Sequence, residues 1–183
     1  MNTPPFTIEK LALPGVLRIT LALSRDARGS SSLTYHTKAF AVLGVTTHFV
    51  QDYTSYSARH VIRGLHFQAP PHAQDKLVRC SQGEIFDVVA DRDPRSSTYG
   101  RHVSTVLTGA LQSMLFIPGH YAHGFCVISD GAMIEYKMSE YYHPESASGV
   151  RYDDPTFTIA WPVSNPILSE QDTQWPLLQR LQN

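Results

Sequence analysis

Val61-Ile62-Arg63-Gly64-Leu65-His66-Phe67-Gln68 is the stretch whose reading decides the fold. Successive residues of a strand face opposite ways, so Ile62, Gly64, His66 and Gln68 share one face and Val61, Arg63, Leu65 and Phe67 the other. His66 and Arg63 therefore point apart, unless a bulge at Gly64 changes the register. A second strand, Glu84-Ile85-Phe86-Asp87-Val88-Val89-Ala90, carries one carboxylate on each of its faces, which leaves the side of Asp87 open. Similar short segments recur at Val16–Leu23, Thr46–Gln51, Lys76–Cys80, His102–Leu107, Ser113–Ile117, Gly124–Ile128 and Ala132–Met138. Turn signals such as Arg28-Gly29, Pro70-Pro71, Gln82-Gly83, Asp93-Pro94 and Pro118-Gly119 separate them. Many short strands at this spacing predict an all-β sandwich or barrel. Only Thr37–Leu43 and Trp175–Leu181 read as helical, and the second is expected to cover a barrel end.

The chain has 183 residues, a length that predicts one domain over residues 1–183 with a core of its own. Its net charge of −1 offers no electrostatic footprint for nucleic acid or an anionic membrane. Cys80 and Cys126 are far apart and form no CxxC pair, so no disulfide framework is expected. The opening MNTPPFTIEK lacks the pattern of a secretory signal, and no apolar stretch approaches the ~20 residues that span a bilayer. The expectation is a cytoplasmic protein.

Chemistry, if present, centres on histidine. Metal-binding cupins offer two histidines as H-x-H, then a glutamate, then a distant histidine after a P-x-G-x-x-H turn. Here the first element is His66-Phe67-Gln68, and glutamine is a poor ligand for a transition metal. His123 does follow Pro118 at the right distance, and Glu84 follows Gly83. The pattern thus predicts a cupin-type β-barrel (jelly roll) with a site that takes no metal and no cofactor. Such a barrel can still remove a proton from carbon next to a carbonyl. That needs a base, a cation or donor for the developing enolate oxygen, and an acid to return the proton. His66, Lys76 and Tyr136 are candidates, although spacing alone does not bring them together.

Other residues now carry a resemblance. Phe49-Val50-Gln51-Asp52, Arg63-Gly64-Leu65-His66-Phe67-Gln68, Lys76-Leu77-Val78-Arg79-Cys80 and Gly83-Glu84-Ile85-Phe86-Asp87-Val88 resemble the dTDP-4-dehydrorhamnose 3,5-epimerase family. So do Ala122-His123-Gly124-Phe125, Tyr136-Lys137, Tyr141-Tyr142, Asp154-Pro155, Ile159-Ala160-Trp161-Pro162 and Leu168-Ser169 with Asp172, in the family's order along nearly the whole chain. The resemblance implies a metal-free barrel, usually a homodimer whose N-terminal strands pair across the interface. It implies a nucleotide-linked 4-keto-6-deoxyhexose as substrate, inverted at C3 and C5 through an enolate. It implies His66 as base with Asp172 as its partner, Tyr136 as acid, and Lys76 at the enolate oxygen. His123 would line the pocket, Arg28 and Arg63 would hold the diphosphate, and Gln51 would contact nucleotide or sugar.

The departures from the family pattern cluster. Arg28-Gly29 is followed by Ser30-Ser31-Ser32-Leu33 where the family has phenylalanines and a glutamate. Tyr53 stands where asparagine is usual, and Gln171 precedes Asp172 where lysine is common. The first two changes fall where the family reads the nucleotide, the place of the third stays open, and Tyr53 offers a replacement stacking surface. The readings are drift on a tolerant surface, a different nucleotide or modified sugar, or loss of activity, against which the intact His66, Lys76, Tyr136 and Asp172 speak. A single C3- or C5-epimerase carries the same catalytic residues. A metal-dependent cupin and a non-catalytic sugar-nucleotide binder are the competing classes.

Overall fold

A computed structural model of the chain describes residues 6–182, so the expectations for residues 1–5 and for Asn183 lie outside the described residues. In chain order the strands are β1 (Phe6–Lys10), β2 (Leu17–Leu21), β3 (Leu23–Asp26), β4 (Gly29–Ser32), β5 (Gln51–Ala58), β6 (Ile62–Gln68) and β7 (Lys76–Gln82). They continue as β8 (Glu84–Ala90), β9 (His102–Thr108), β10 (Ser113–Ile117), β11 (Ala122–Val127), β12 (Gly131–Met138) and β13 (Ala147–Gly149). Helix α1 (Thr37–Val42) lies between β4 and β5, and α2 (Glu170–Gln174) follows β13. One sheet runs β1-β2-β10-β7-β12-β5, a second runs β13-β6-β11-β8-β9, and β3-β4 is a separate hairpin. This is the cupin-like β architecture expected from the strand spacing.

Alternation explains the packing. Val78, Leu115, Ile117 and Ile134 of the first sheet meet Ile85, Val89, Leu107 and Phe125 of the second in the inter-sheet core. The opposite face of the first sheet, with Phe6, Ile19, Leu77, Met114 and Phe116, is covered by Phe40 of α1. On the outer face of the second sheet, Leu65, Phe67, Val88 and Ala90 pack against Val150, Phe157 and Leu178 from the C-terminal segment. Asp87 shares its face with Ile85 and Val89, so its carboxylate points into the space between the sheets.

Three segments differ from the sequence expectation. Residues 46–50 form no strand, and the strand starts at Gln51. Its inward residues include Ser55 and Ser57, both buried, so no apolar alternation announces it. The predicted strand Val16–Leu23 divides into β2, paired with β1 and β10, and β3, paired with β4. The predicted helix Trp175–Leu181 is displaced. Ser169 caps α2 by accepting from the Asp172 N–H, and Trp175 is extended at ψ 143 because Pro176 follows it. A 3-10 turn over Leu178–Gln182 then closes the chain end.

Candidate active site

The sequence leaves a bulge at Gly64 open, and the structure has one that shapes the site. β11 pairs with β6 as His123↔His66 and Phe125↔Arg63, so two steps on β11 span three on β6. Gly64 has φ 136, a region L side chains rarely adopt, and an added Cβ would meet Gly124 Cα at 2.6 Å. The extra residue brings Arg63 round so that it lines the same cleft as His66, with its Nε donating to Ser57 Oγ at 2.9 Å. That cleft has a volume of about 510 Å³ and opens between the two sheets.

The second sheet supplies one wall. His66, 43% exposed, projects from β6 with its Nε2 2.5 Å from Oδ1 of Asp172, which α2 holds at 4% exposure. Burial works to raise the Asp172 carboxyl, but hydrogen bonds from His66, Ser169 and Trp175 outweigh it and hold it below the usual carboxylate range. Trp175 Nε1 donates to the same Oδ1 at 3.3 Å, and its indole closes one side of the cleft. Behind His66, the buried pair His123 and Asp87 has Nε2 and Oδ2 2.9 Å apart.

The first sheet supplies the facing wall. Lys76 of β7 is buried with its Nζ 3.4 Å from the Gln74 carbonyl. Burial pushes the ammonium down to about 8, while Asp75 acts to raise it and Arg92 to lower it. Tyr136 of β12 has its hydroxyl pushed far up, by burial first and then by the charge of Asp87, against the pull of Arg63. It is therefore a protonated phenol throughout the working pH range. Its ring lies 6.0 Å from Tyr53 and edge-on to His123 at 6.2 Å. Gln51 lies farther along β5, where its Oε1 accepts from the Tyr142 N–H at 3.2 Å.

A carboxylate-held imidazole thus faces a phenol and an ammonium across one cleft. Such a set can take a proton from one face of a ligand and return one from the other. The family model for dTDP-4-dehydrorhamnose 3,5-epimerase matches residues 10–180. The chain belongs to this family. A dTDP-4-dehydrorhamnose 3,5-epimerase of Escherichia coli (strain K12) is 44% identical over 158 residues, covering 85% of each chain. The crystal structure of the Bacillus anthracis dTDP-4-dehydrorhamnose 3,5-epimerase with TDP and PPi bound superposes with a TM-score of 0.92 at 38% identity. It covers 94% of this chain and 99% of that one. The Legionella pneumophila 3,5-epimerase, in complex with dTDP-4-keto-L-rhamnose, gives 0.91 at 37% identity, covering 95% and 93%. The chain is accordingly an isomerase of the epimerase type.

In this epimerase the cleft collects Gln51, Tyr53, Arg63, His66, Lys76, His123 and Tyr136, with Asp172 joined through His66. Arg28 is not among the lining residues. It stands at the exposed tip of the β3–β4 hairpin, with its Nη2 2.6 Å from Asp26. The sequence leaves the side of Asp87 open and gives neither Asp87 nor Trp175 a place in the site. Asp87 opposes Phe125 in the β8–β11 ladder, which puts it on the face of His123, but that pairing is invisible in a single strand. Trp175 was assigned to a helix, although the proline after it argues for an extended residue. Gln68, in the second position of the H-x-H pattern, has its amide committed to the His72 and Tyr141 carbonyls and to the His143 N–H.

Proposed function

We propose that the chain inverts C3 and C5 of a nucleotide-linked 4-keto-6-deoxyhexose, of the dTDP-4-dehydro-6-deoxy-D-glucose to dTDP-4-dehydro-L-rhamnose type. The observation that carries this reading is the placement of His66 with Asp172 on one wall and Tyr136 with Lys76 on the other. C3 and C5 flank the C4 ketone, so both bear acidified hydrogens. His66 removes one as general base, and Asp172 fixes the ring orientation. The C–H electron pair moves into the enolate, whose oxygen at C4 receives the Lys76 ammonium. Tyr136 then delivers its proton to carbon from the opposite face, and the centre is inverted. No electrons leave the sugar, so the reading requires no redox partner. Arg63 holds the diphosphate at the cleft mouth, where a planar guanidinium suits phosphate oxygens, and Gln51 contacts nucleotide or sugar.

The same reading includes a homodimer. β1 is an edge strand of the six-stranded sheet and β3–β4 is a free-standing hairpin, so both offer backbone groups to a second copy. A dimer formed there places Arg28 on the diphosphate of the neighbouring cleft.

Incubation with dTDP-4-keto-6-deoxyglucose in deuterated water, followed by NMR, tests the reaction. Deuterium at C3 and C5 supports it, and no incorporation with any of several nucleotide-linked keto sugars removes it. Tyr53, exposed beside Tyr136, favours a second reading in which one carbon alone is inverted, or a different nucleotide or modified sugar is taken. Label at a single carbon, or turnover only with another nucleotide, identifies that variant.

A further inference from the structure

Outside the cleft lining, two histidines and a glutamate converge at the rim. His72 lies in the loop after β6, while His143 and Glu145 lie between β12 and β13. The two imidazoles stack with centroids 3.5 Å and planes 10° apart. Glu145 Oε1 is 3.0 Å from His143 Nδ1 and 4.0 Å from His72 Nε2. One donor atom from each of the three lies within 4.8 Å of the others. Glu140 brings a second carboxylate to 3.8 Å from His143 Nε2.

The backbone beneath this cluster is fixed by one buried side chain. Gln68 Oε1 accepts from the His143 N–H at 2.7 Å, and Gln68 Nε2 donates to the His72 carbonyl at 2.7 Å. Both histidine-bearing segments are therefore tied together before any ligand arrives, which lowers the ordering cost of binding. The two imidazole side chains keep 29% exposure, so water and ions reach them. A tetrahedral ion with bonds of about 2.0–2.2 Å holds its donors about 3.4 Å apart. Donor atoms now up to 4.8 Å apart must close by about 1.4 Å, a movement open to side chains that are partly exposed.

We propose that His72, His143 and Glu145 form a site for a divalent transition ion of the Zn²⁺ type, with water in the remaining position. Two imidazoles and one carboxylate suit zinc better than calcium or magnesium, which take oxygen ligands. Glutamine occupies the second position of the barrel's H-x-H pattern, and that same glutamine organises a donor set displaced from the cleft. The site does not depend on the proposed reaction.

Titration calorimetry of the tag-free full chain with ZnCl₂, in a non-chelating buffer, tests it. The expected result is one Zn²⁺ per chain with micromolar Kd. His72→Ala and His143→Ala each weaken it about tenfold or more, and His66→Ala leaves it unchanged. Co²⁺ in place of zinc gives visible absorption that His143→Gln, the closer replacement in size, abolishes. Circular dichroism of each variant confirms that it is folded. Absence of stoichiometric binding by roughly 100 µM Zn²⁺ overturns the proposal. So does binding that survives both alanine variants, or binding lost with His66→Ala, which places the ion in the cleft.

Discussion

Burial holds the Lys76 ammonium down to about 8, with Asp75 acting to raise it and Arg92 to lower it. A lysine whose folded value lies below its unfolded one of 10.5 binds fewer protons when folded at intermediate pH. Its burial therefore costs stability below pH 8, and that cost fades between about pH 8 and 10.5. Lys76→Met, of similar volume, should gain about 2–3 kcal/mol at pH 7, read from urea unfolding, with the gain shrinking as pH rises through that window. A gain constant from pH 7 to 10.5 contradicts this account. In the proposed reaction the same variant should lose epimerisation, because the enolate oxygen would lose its cation. His66 and Tyr136 are separable by isotope. His66→Ala removes the proposed base and should lower exchange of the sugar hydrogens by about 10²–10⁴-fold. Tyr136→Phe keeps the base, so deuterium should still enter the original configuration while inverted product disappears. If Tyr136→Phe instead still forms inverted product, another group delivers the proton.

At the scale of elements, the bulge in β6 decides whether Arg63 and His66 serve one cleft. Gly64→Ala places a Cβ against Gly124 Cα in a backbone region reserved for glycine. It should destabilise by about 3 kcal/mol or more. Where folded protein remains, kcat/KM should fall further than the folded fraction accounts for, because both side chains turn away. Purified folded variant with unaltered kcat/KM argues that the register does not matter. Alternation over Val61–Gln68 separates these two residues, and the sequence resolves the conflict only by pointing at Gly64. Strands with a mainly apolar inward face, such as β10, or one broken by a single carboxylate, such as β8, match the sequence expectation to the residue. β5 was not, because its inward serines satisfy a polar wall and carry no hydrophobic period. Asp87 was undecidable in its own strand and becomes plain only through its ladder with β11. The helix end at Trp175 was misread because capping by Ser169 and the restriction before Pro176 outweigh the leucine spacing that follows.

The whole molecule divides the proposed chemistry between two sheets: the base comes from one and the acid and cation from the other. Each cleft is complete in these three groups within a single chain, but Arg28 stands apart from it on the β3–β4 hairpin. If a homodimer delivers Arg28 of the partner subunit to each cleft, the defects of two variants must complement. Arg28→Ala should raise the KM for the nucleotide sugar and lower kcat/KM, with the dimer mass unchanged in light scattering. His66→Ala should abolish turnover. When the two are denatured together and refolded in equal amounts, about half the dimers are mixed, and each mixed dimer has one cleft with intact His66 and intact Arg28. Activity should then return to about a quarter of the unmodified level. An arginine acting on its own chain's cleft gives no such recovery, since every cleft in the mixture carries one defect or the other. Recovery also requires that the dimer exist, so the measurement tests the assembly and the reach of the hairpin together.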